Sequence, residues 1–290
     1  MSNHYIITIH NSDHILERTL SGVEAAAGPN SSIIPVLDGC TDASERIAMR
    51  FKAKSKHDVR IAYANNIHEI GAINAGLNIA PPGGIFILQD DVVLKTELIE
   101  NILDEKFTKK NENVGYVSFR MGGAVCGSSL LKCLWHRLIT RGKVVGRMLS
   151  CRIDVASCFD THGIRSKAIL SNGESREVTA GIKSPVWISS ALREKEPYLD
   201  EDLMPFCLDD VDMSLRALRR NFKNFVISVP YESDARWGGT RKAASEFERL
   251  AADVSNRNRQ LLYQKHAKWL KGVAKLEVDG LRQSLARRLS

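Results

Sequence analysis

Ile85-Phe86-Ile87-Leu88-Gln89-Asp90-Asp91-Val92 is the stretch that decides the fold. Its four leading apolar residues follow a Pro81-Pro82-Gly83-Gly84 turn, which predicts a short buried strand. Two adjacent carboxylates stand at the C-terminal end of that strand, where open α/β sheets place their ligands. Like charges side by side repel. The pair therefore makes most sense with a cation between it and an anionic group, and a divalent ion holding a diphosphate fits.

Working outward, the first 120 residues alternate strand-like and helix-like segments. Tyr5 to Ile9, Ser32 to Leu37, Val59 to Tyr63 and Gly115 to Phe119 join Ile85 to Leu88 as expected strands. Ile15, Leu16, Leu20 and Val23 share one face of a first helix. Ala43, Ile47, Ala48 and Phe51 share a face of a second, with Asp42 as its cap. Ile70 to Ala80 and Glu97 to Leu103 supply two more helices. Strands alternating with helices predict βαβ units and a mainly parallel, doubly wound sheet. No Gly-x-Gly-x-x-Gly follows the first strand and no glycine-rich phosphate loop ends in Gly-Lys-Ser/Thr, which argues against ordinary dinucleotide binding and P-loop hydrolysis.

From Met121 to Lys183 the pattern is less regular. Leu130 to Leu149 reads as a basic helix, and Ser171-Asn172-Gly173 as the tip of a hairpin. Pro185 to Ser189 and Phe225 to Pro230 return to strand character. Val211, Leu215, Leu218 and Phe222 mark one face of a helix between them. After Gly238-Gly239 the chain reads as helical almost to its end.

The chain has 290 residues and a net charge of +7. Its charged and apolar fractions are those of a globular protein. No run is long enough to span a bilayer, and the N-terminus lacks a charged-then-apolar leader, so a cytoplasmic location is expected, or one at the inner face of a membrane. Six cysteines occur without a Cys-x-x-Cys pair; they read as reduced core thiols, with structural zinc disfavoured. Lysine and arginine gather between Lys132 and Arg152, between Arg216 and Lys223, and from Arg236 onward. Such a face could attract nucleic acid, anionic lipid or a phosphorylated small molecule, or could be a solvated surface and nothing more. The stretch from His266 to Ser290, with Trp269, Leu270, Val273, Leu276, Leu281, Leu285 and Leu289 among its basic residues, could lie on a membrane, pair with a partner helix or pack as a simple tail.

Several ordered blocks resemble the family 2 glycosyltransferases of the GT-A fold. Thr8-Ile9-His10-Asn11 is similar to the family's Pro-x-Tyr-Asn. Val36-Leu37-Asp38-Gly39-Cys40-Thr41-Asp42 is similar to its Val-Asp-Asp-Gly-Ser-Thr-Asp turn. Gly71-Ala72-Ile73-Asn74-Ala75-Gly76 resembles the Ala-Arg-Asn-x-Gly helix, and Gln89-Asp90-Asp91 the Asp-x-Asp metal motif. Pro185-Val186-Trp187 and Leu199-Asp200-Glu201-Asp202 resemble the acceptor-side segment. Asp209-Asp210-Val211-Asp212-Met213-Ser214-Leu215-Arg216 is similar to Glu-Asp-Val-Asp-Leu-Ser-Leu-Arg. Asn256-Arg257-Asn258-Arg259 with Tyr263-Gln264-Lys265-His266 resembles a C-terminal helix of rhamnosyl- and mannosyl-type members. The resemblance implies a Rossmann-like GT-A domain over residues 1–243, with a nucleotide-binding half (1–120) and an acceptor-binding half (121–243). Residues 244–290 would form a C-terminal helical extension.

It also implies an inverting transfer of a sugar from a UDP-, GDP- or TDP-linked donor to a glycan or lipid-linked acceptor, aided by Mg²⁺ or Mn²⁺, in surface glycan biosynthesis. On that reading Thr8, His10, Asn11, Asp38, Asn74 and Asp90 are nucleotide contacts, although an aspartate before glycine also suits a plain turn. Asp91 holds the metal, while Gln89 stands where the family has its first carboxylate. Asp210 is the general base with Asp209 as its partner; either could instead be only a helix cap. The family's late histidine is missing, so Asp234 could supply an oxygen ligand in its place, or Arg236 and Arg241 could neutralise the diphosphate directly. Trp187, Trp237 and Arg241 are candidate sugar or acceptor contacts, with core packing the competing role for each tryptophan.

Two other classes compete. A sugar nucleotidyltransferase would need a glycine-rich, basic loop after the first strand, and Asn11-Ser12-Asp13-His14 is neither. A non-catalytic module binding nucleic acid would want aromatics interleaved with the basic stretches, and they are absent, so no nucleic-acid partner is expected.

Overall fold

The computed structural model describes residues 2–110, 113–119, 124–125, 155–156, 173–178, 180–181, 183–233 and 250, and from the last stretch 253–255, 257–258, 260–262, 264–266 and 268–269. Leu130 to Leu149, Asp234, Trp237 and Arg241 lie outside them.

The N-terminal half alternates as expected: β1 (Asn3–Ile9), α1 (Asp13–Ala26), β2 (Ser32–Asp38), α2 (Ser44–Lys54), β3 (Asp58–Val59), β4 (Ala62–Ala64), α3 (His68–Ile79), β5 (Gly84–Gln89), β6 (Val92–Leu94), α4 (Ile99–Leu103) and β7 (Val114–Ser118). Two-residue strands β8 (Ala124–Val125) and β9 (Val155–Ala156) pair with each other. Then come β10 (Ser175–Val178), β11 (Val186–Ile188), α5 (Ser190–Lys195), α6 (Asp209–Arg219), β12 (Lys223–Ile227) and β13 (Tyr231–Ser233).

Nine strands form one sheet in the order β10-β12-β7-β11-β5-β1-β2-β3, with β4 also on β2. β5, β1, β2, β3 and β4 run parallel, as do β7 and β12. β11 is antiparallel to both of its neighbours, between β5 and β7, a reversal the sequence did not signal. β12 comes back parallel to β7 after α6.

The strand expected from Val59 to Tyr63 is broken into β3 and β4. The gap falls opposite Pro35 of β2, since Ile33 pairs with Val59 and Val36 with Ala62. Proline has no N–H to give to a ladder, and pairing resumes one residue later.

Successive residues of each strand face opposite layers, so the strands read as continuous apolar runs buried on both sides. Tyr5, Ile7, Ile9, Phe86 and Leu88 pack with Leu16, Leu20 and Val23 of α1. Ile6, Ile34, Val36, Ile85 and Ile87 pack with Ile70, Ile73 and Leu77 of α3. α3 lies close on the sheet because residue 76 is glycine: a Cβ there would stand 2.7 Å from Ile6 Cγ2 and 3.0 Å from Val36 Cγ2.

Trp187 belongs to this interior. It is 5% exposed, lies opposite Phe86 in the β11–β5 ladder, and donates its indole N–H to Asn3 Oδ1 at 2.9 Å. Of the two roles open to it, the structure shows core packing: the strand alternation turns the ring inward, where the indole N–H also finds a partner.

The described part of the C-terminal stretch is helical and packs against the segment that leads into α6. Leu262 is fully buried with Val211 and Leu215, and the half-buried Trp269 packs on the same cluster. No helix among the described residues is long and apolar enough to cross a bilayer.

Candidate active site

Three neighbouring parallel strands, β2, β1 and β5, end together, and the polar residues following them meet there. His10 donates its backbone N–H to Asp90 Oδ2 at 2.9 Å, and its ring Nδ1 lies 2.6 Å from the Asp38 carbonyl oxygen. Asp90 N–H in turn donates to the Thr8 carbonyl at 3.1 Å. Asn11 Oδ1 accepts from Thr41 N–H at 2.8 Å, which ties the loop after β1 to the loop after β2. Thr8, His10, Asn11, Asp38 and Asp90 therefore form one cluster.

The Asp38 carboxylate braces the loop ahead of α3. It accepts the N–H groups of Ile67 and His68, each at 2.8 Å, one on each oxygen. Asn66 and His68 both have positive φ, at 55° and 63°, so this loop carries strain that the two bonds help to hold. Gly39 follows in the left-handed region at φ 61°, where a Cβ would meet Asn66 Cβ at 2.9 Å. Asp38 thus fills its turn role, and each oxygen keeps capacity for a further donor.

Asp90 and Asp91 occupy the turn between β5 and β6 and are 7% and 5% exposed. Burial pushes the Asp90 carboxyl up to about 7; the His10 N–H opposes this, and the Asp91 charge adds to it. The small ladder that follows pairs Val92 with Ser233, so the residue after Asp91 lies beside the residue before Asp234. Among the described residues no group of three or more His, Cys, Asp or Glu side chains is arranged to hold a metal.

Asn74, expected as a nucleotide contact, is engaged within the fold. Its two N–H donors go to the Leu199 carbonyl at 3.0 Å and Glu201 Oε1 at 3.1 Å, while Oδ1 accepts Leu199 N–H at 3.0 Å. No hydrogen of that amide remains for a nucleotide.

The second acidic pair opens α6. Asp209 is 1% exposed and pairs through Oδ2 with the Lys183 ammonium. Its other oxygen is buried without a hydrogen-bond partner among the described residues. Asp210 is half-buried; Oδ1 accepts Val211 N–H at 2.8 Å and Oδ2 accepts the Lys183 backbone N–H at 3.3 Å. Burial pushes Asp210 up to about 7, Asp209 pushes the same way, and Lys183 opposes both.

Lys183 joins the two ends. Its Nζ also lies 3.3 Å from Glu69 Oε2 on α3, and Glu69 Oε1 accepts from the side-chain amide of Gln89, the residue before Asp90. Gln89 N–H donates to Ser184 Oγ at 2.7 Å. A continuous polar chain, Gln89–Glu69–Lys183–Asp209, thus runs from the end of β5 to the start of α6. Burial works against the Lys183 ammonium, yet the charges of Asp209, Glu69 and Asp210 outweigh it and hold its pKa above the ordinary lysine value. Burial also raises the Glu69 carboxyl, with Lys183 opposing and Asp209 adding. Two surface depressions among the described residues, one beside Arg193 and Tyr198 and one between α1 and α2, lie elsewhere.

Sequence reasoning missed Glu69 and Lys183. The available signal was a single charge in an otherwise small or apolar run: Lys183 in Ala180-Gly181-Ile182-Lys183-Ser184-Pro185, and Glu69 ahead of Ile70-Gly71-Ala72-Ile73.

The segment that delivers Asp209 and Asp210 is held from behind by the C-terminal stretch. Asn258 donates its amide to the carbonyls of Leu203, Phe206 and Cys207 at 2.7, 2.9 and 2.9 Å. Lys265 pairs with Asp200, and with Asp202 at 3.2 Å. His266 Nε2 lies 2.8 Å from Asp212 Oδ1, whose other oxygen accepts from Arg216 Nε at 2.7 Å.

A family model described as Glycosyl transferase family 2 matches residues 5–157, more than half of the chain, and the chain belongs to that family. Among solved structures it is similar to S. aureus TarS, at 15% identity and a TM-score of 0.53, covering 81% of this chain and 37% of that one. The structure of TarS 1-349 in complex with UDP-GlcNAc gives 14% identity and a TM-score of 0.56 over 89% of this chain and 66% of that one. The same portion in complex with UDP gives 14% identity and 0.54 over 81% and 61%. At these identities the likeness shows the shared fold, and the chain spans less than two thirds of each. No curated protein matches the chain.

Proposed function

We propose that this member of glycosyl transferase family 2 moves a sugar, with inversion at the anomeric carbon, from a nucleotide-diphosphate donor to a hydroxyl of a glycan or lipid-linked acceptor. The observation that carries the reading is the polar chain Gln89–Glu69–Lys183–Asp209. It runs from Gln89, the residue before Asp90, to Asp209 at the start of α6, which supports a reading in which the two carboxylate pairs serve one site.

Thr8, His10, Asn11 and Asp38 line the place for the nucleoside. Asp91, with Asp90, offers hard, desolvated oxygens of like charge, a donor set that fits Mg²⁺ or Mn²⁺, ions that take one or two carboxylates and complete their shell with phosphate and water. Such an ion would supply neutralisation of the departing diphosphate. Asp234 is the candidate third oxygen ligand, and Arg241 and Trp237 remain candidates beside the sugar or acceptor. The acceptor oxygen bonds to the anomeric carbon as the bond from that carbon to the diphosphate oxygen breaks. The hydroxyl proton passes to Asp210, whose carboxyl near 7 suits a base working at neutrality. Residues 1–120 serve the donor and 121–243 the acceptor, while Asn258 and Lys265 of the extension over 244–290 brace the segment ahead of α6.

Calorimetric titration with UDP, GDP and TDP, with and without Mn²⁺, identifies the donor. Release of nucleoside diphosphate from the matching nucleotide sugar then measures turnover. Asp210→Asn should bind nucleotide as the parent does and lose turnover, and Asp91→Asn should lose the Mn²⁺-dependent part of binding. Undiminished turnover in Asp210→Asn would refute the base assignment.

A further inference from the structure

Lys183 lies in no motif of the sequence, yet it touches three acidic residues of the site. Its ammonium reaches Asp209 and Glu69, and its backbone N–H reaches Asp210. Two carboxylates therefore pair with one cation, and a third lies within its field, in a place largely closed to water. Adjacent desolvated carboxylates do not both ionise freely: a proton settles on one of them. Which one holds it depends on where the cation stands.

We propose that Lys183 is a positioning residue: its ammonium meets the buried Asp209 and Glu69 carboxylates while its backbone N–H holds Asp210, and this fixes Asp210 as the group that takes and releases a proton. Asp209, at 1% exposure, would otherwise be a buried charge without a counter-ion. Asp210 is better placed to exchange with substrate, being half-buried and bound, among the described residues, by two backbone N–H groups.

Among the described residues the ionisable groups facing Asp210 are few. Asp209 precedes it, Lys183 approaches from the segment before β11, Tyr116 from β7 and Cys207 from the loop ahead of α6, while Glu69 on α3 meets the Lys183 ammonium. Burial holds the Tyr116 phenol well above its ordinary value and the Cys207 thiol up to about 11, so neither titrates alongside Asp210. Lys183 is the charge, besides Asp209, that acts on Asp210, and Glu69 competes for the same ammonium.

This inference rests on Asp210 as the base, and the test separates the two. The pH dependence of nucleotide-sugar turnover is measured for the parent and for Lys183→Met, Lys183→Arg and Glu69→Gln. Removing the cation should move the acidic limb, which the ionisation of Asp210 sets, upward by roughly one to three pH units, the usual effect of one nearby opposite charge. Arginine should restore most of the parent profile, and Glu69→Gln should move the limb downward. A fall in turnover with the limb unmoved in both Lys183→Met and Glu69→Gln is what a merely structural role gives, and it overturns the proposal. If Lys183→Met does not fold, the downward shift in Glu69→Gln decides alone, and an unmoved or upward limb refutes it. Carbon-13 titration of the full chain labelled at aspartate carboxyls, with the Asp210 signal assigned by its loss in Asp210→Asn, reads the same shifts without turnover. An active Asp210→Asn variant instead overturns the base assignment itself.

Discussion

Asp210→Asn should do more than stop turnover: it should make the folded chain relatively more stable as pH rises. The Asp210 carboxyl stands at about 7 in the folded chain, against an ordinary value of 3.8. Between about pH 4 and pH 7 the folded chain holds a proton that the unfolded chain has released. Stability from this group therefore falls as pH rises through that window and levels off above about pH 7. The full shift of about three units corresponds to a ceiling of about 4 kcal/mol, at about 1.4 kcal/mol per unit. Between about pH 5.5 and pH 8 only about 1.5 units are crossed, or about 2 kcal/mol. Asparagine keeps the shape and one acceptor but does not titrate. It loses the second acceptor, which now serves either Val211 or Lys183, at a cost of about 1 kcal/mol at every pH. Urea unfolding of parent and variant at the two pH values gives the comparison. The stability of Asp210→Asn relative to the parent should rise by about 2 kcal/mol from the lower pH to the higher, with m-values unchanged. A difference that stays constant within about 0.5 kcal/mol, or falls, would show that Asp210 ionises in the folded chain much as it does in water, and the base assignment would lose its physical support.

Two further predictions concern the frame around the site. Asn258→Ala removes the amide shared by the carbonyls of Leu203, Phe206 and Cys207 and should destabilise by about 2–3 kcal/mol. Because those carbonyls precede Asp209, turnover should fall more than nucleotide affinity does, which calorimetry beside a turnover assay checks. Trp187→Phe leaves Asn3 Oδ1 without its indole donor and opens a small void, so it should cost about 1–3 kcal/mol in denaturant unfolding. Below the unfolding transition its KM for nucleotide sugar should match the parent, and a selective rise in KM would return Trp187 to the sugar site.

The extent to which the fold could be read in the chain follows from the range of the forces involved. Strands β1, β2, β5 and β7 and helices α1 to α3 are announced by local periodicity, because each is a continuous apolar run or a stripe at helical spacing. The break between β3 and β4 is not announced by its own residues: it answers to Pro35 on the neighbouring strand. The reversal of β11 likewise depends on which strands flank it. Asn74 and Trp187 sit in segments that resemble the family's, yet their side chains face inward, a direction that only packing against Leu199 and Phe86 fixes.

The sequence by itself determined that this is an α/β chain with carboxylates at the ends of its strands, since apolar runs and the charges that close them are neighbours along the backbone. Its ordered blocks carried the family as well. Tertiary structure alone decided that Gln89, Glu69, Lys183 and Asp209 form one line across the site, with Lys183 standing 114 residues from Glu69 in the numbering. The physical reason is that a buried charge is tolerated where a counter-charge meets it in space, and no spacing along the chain records that meeting.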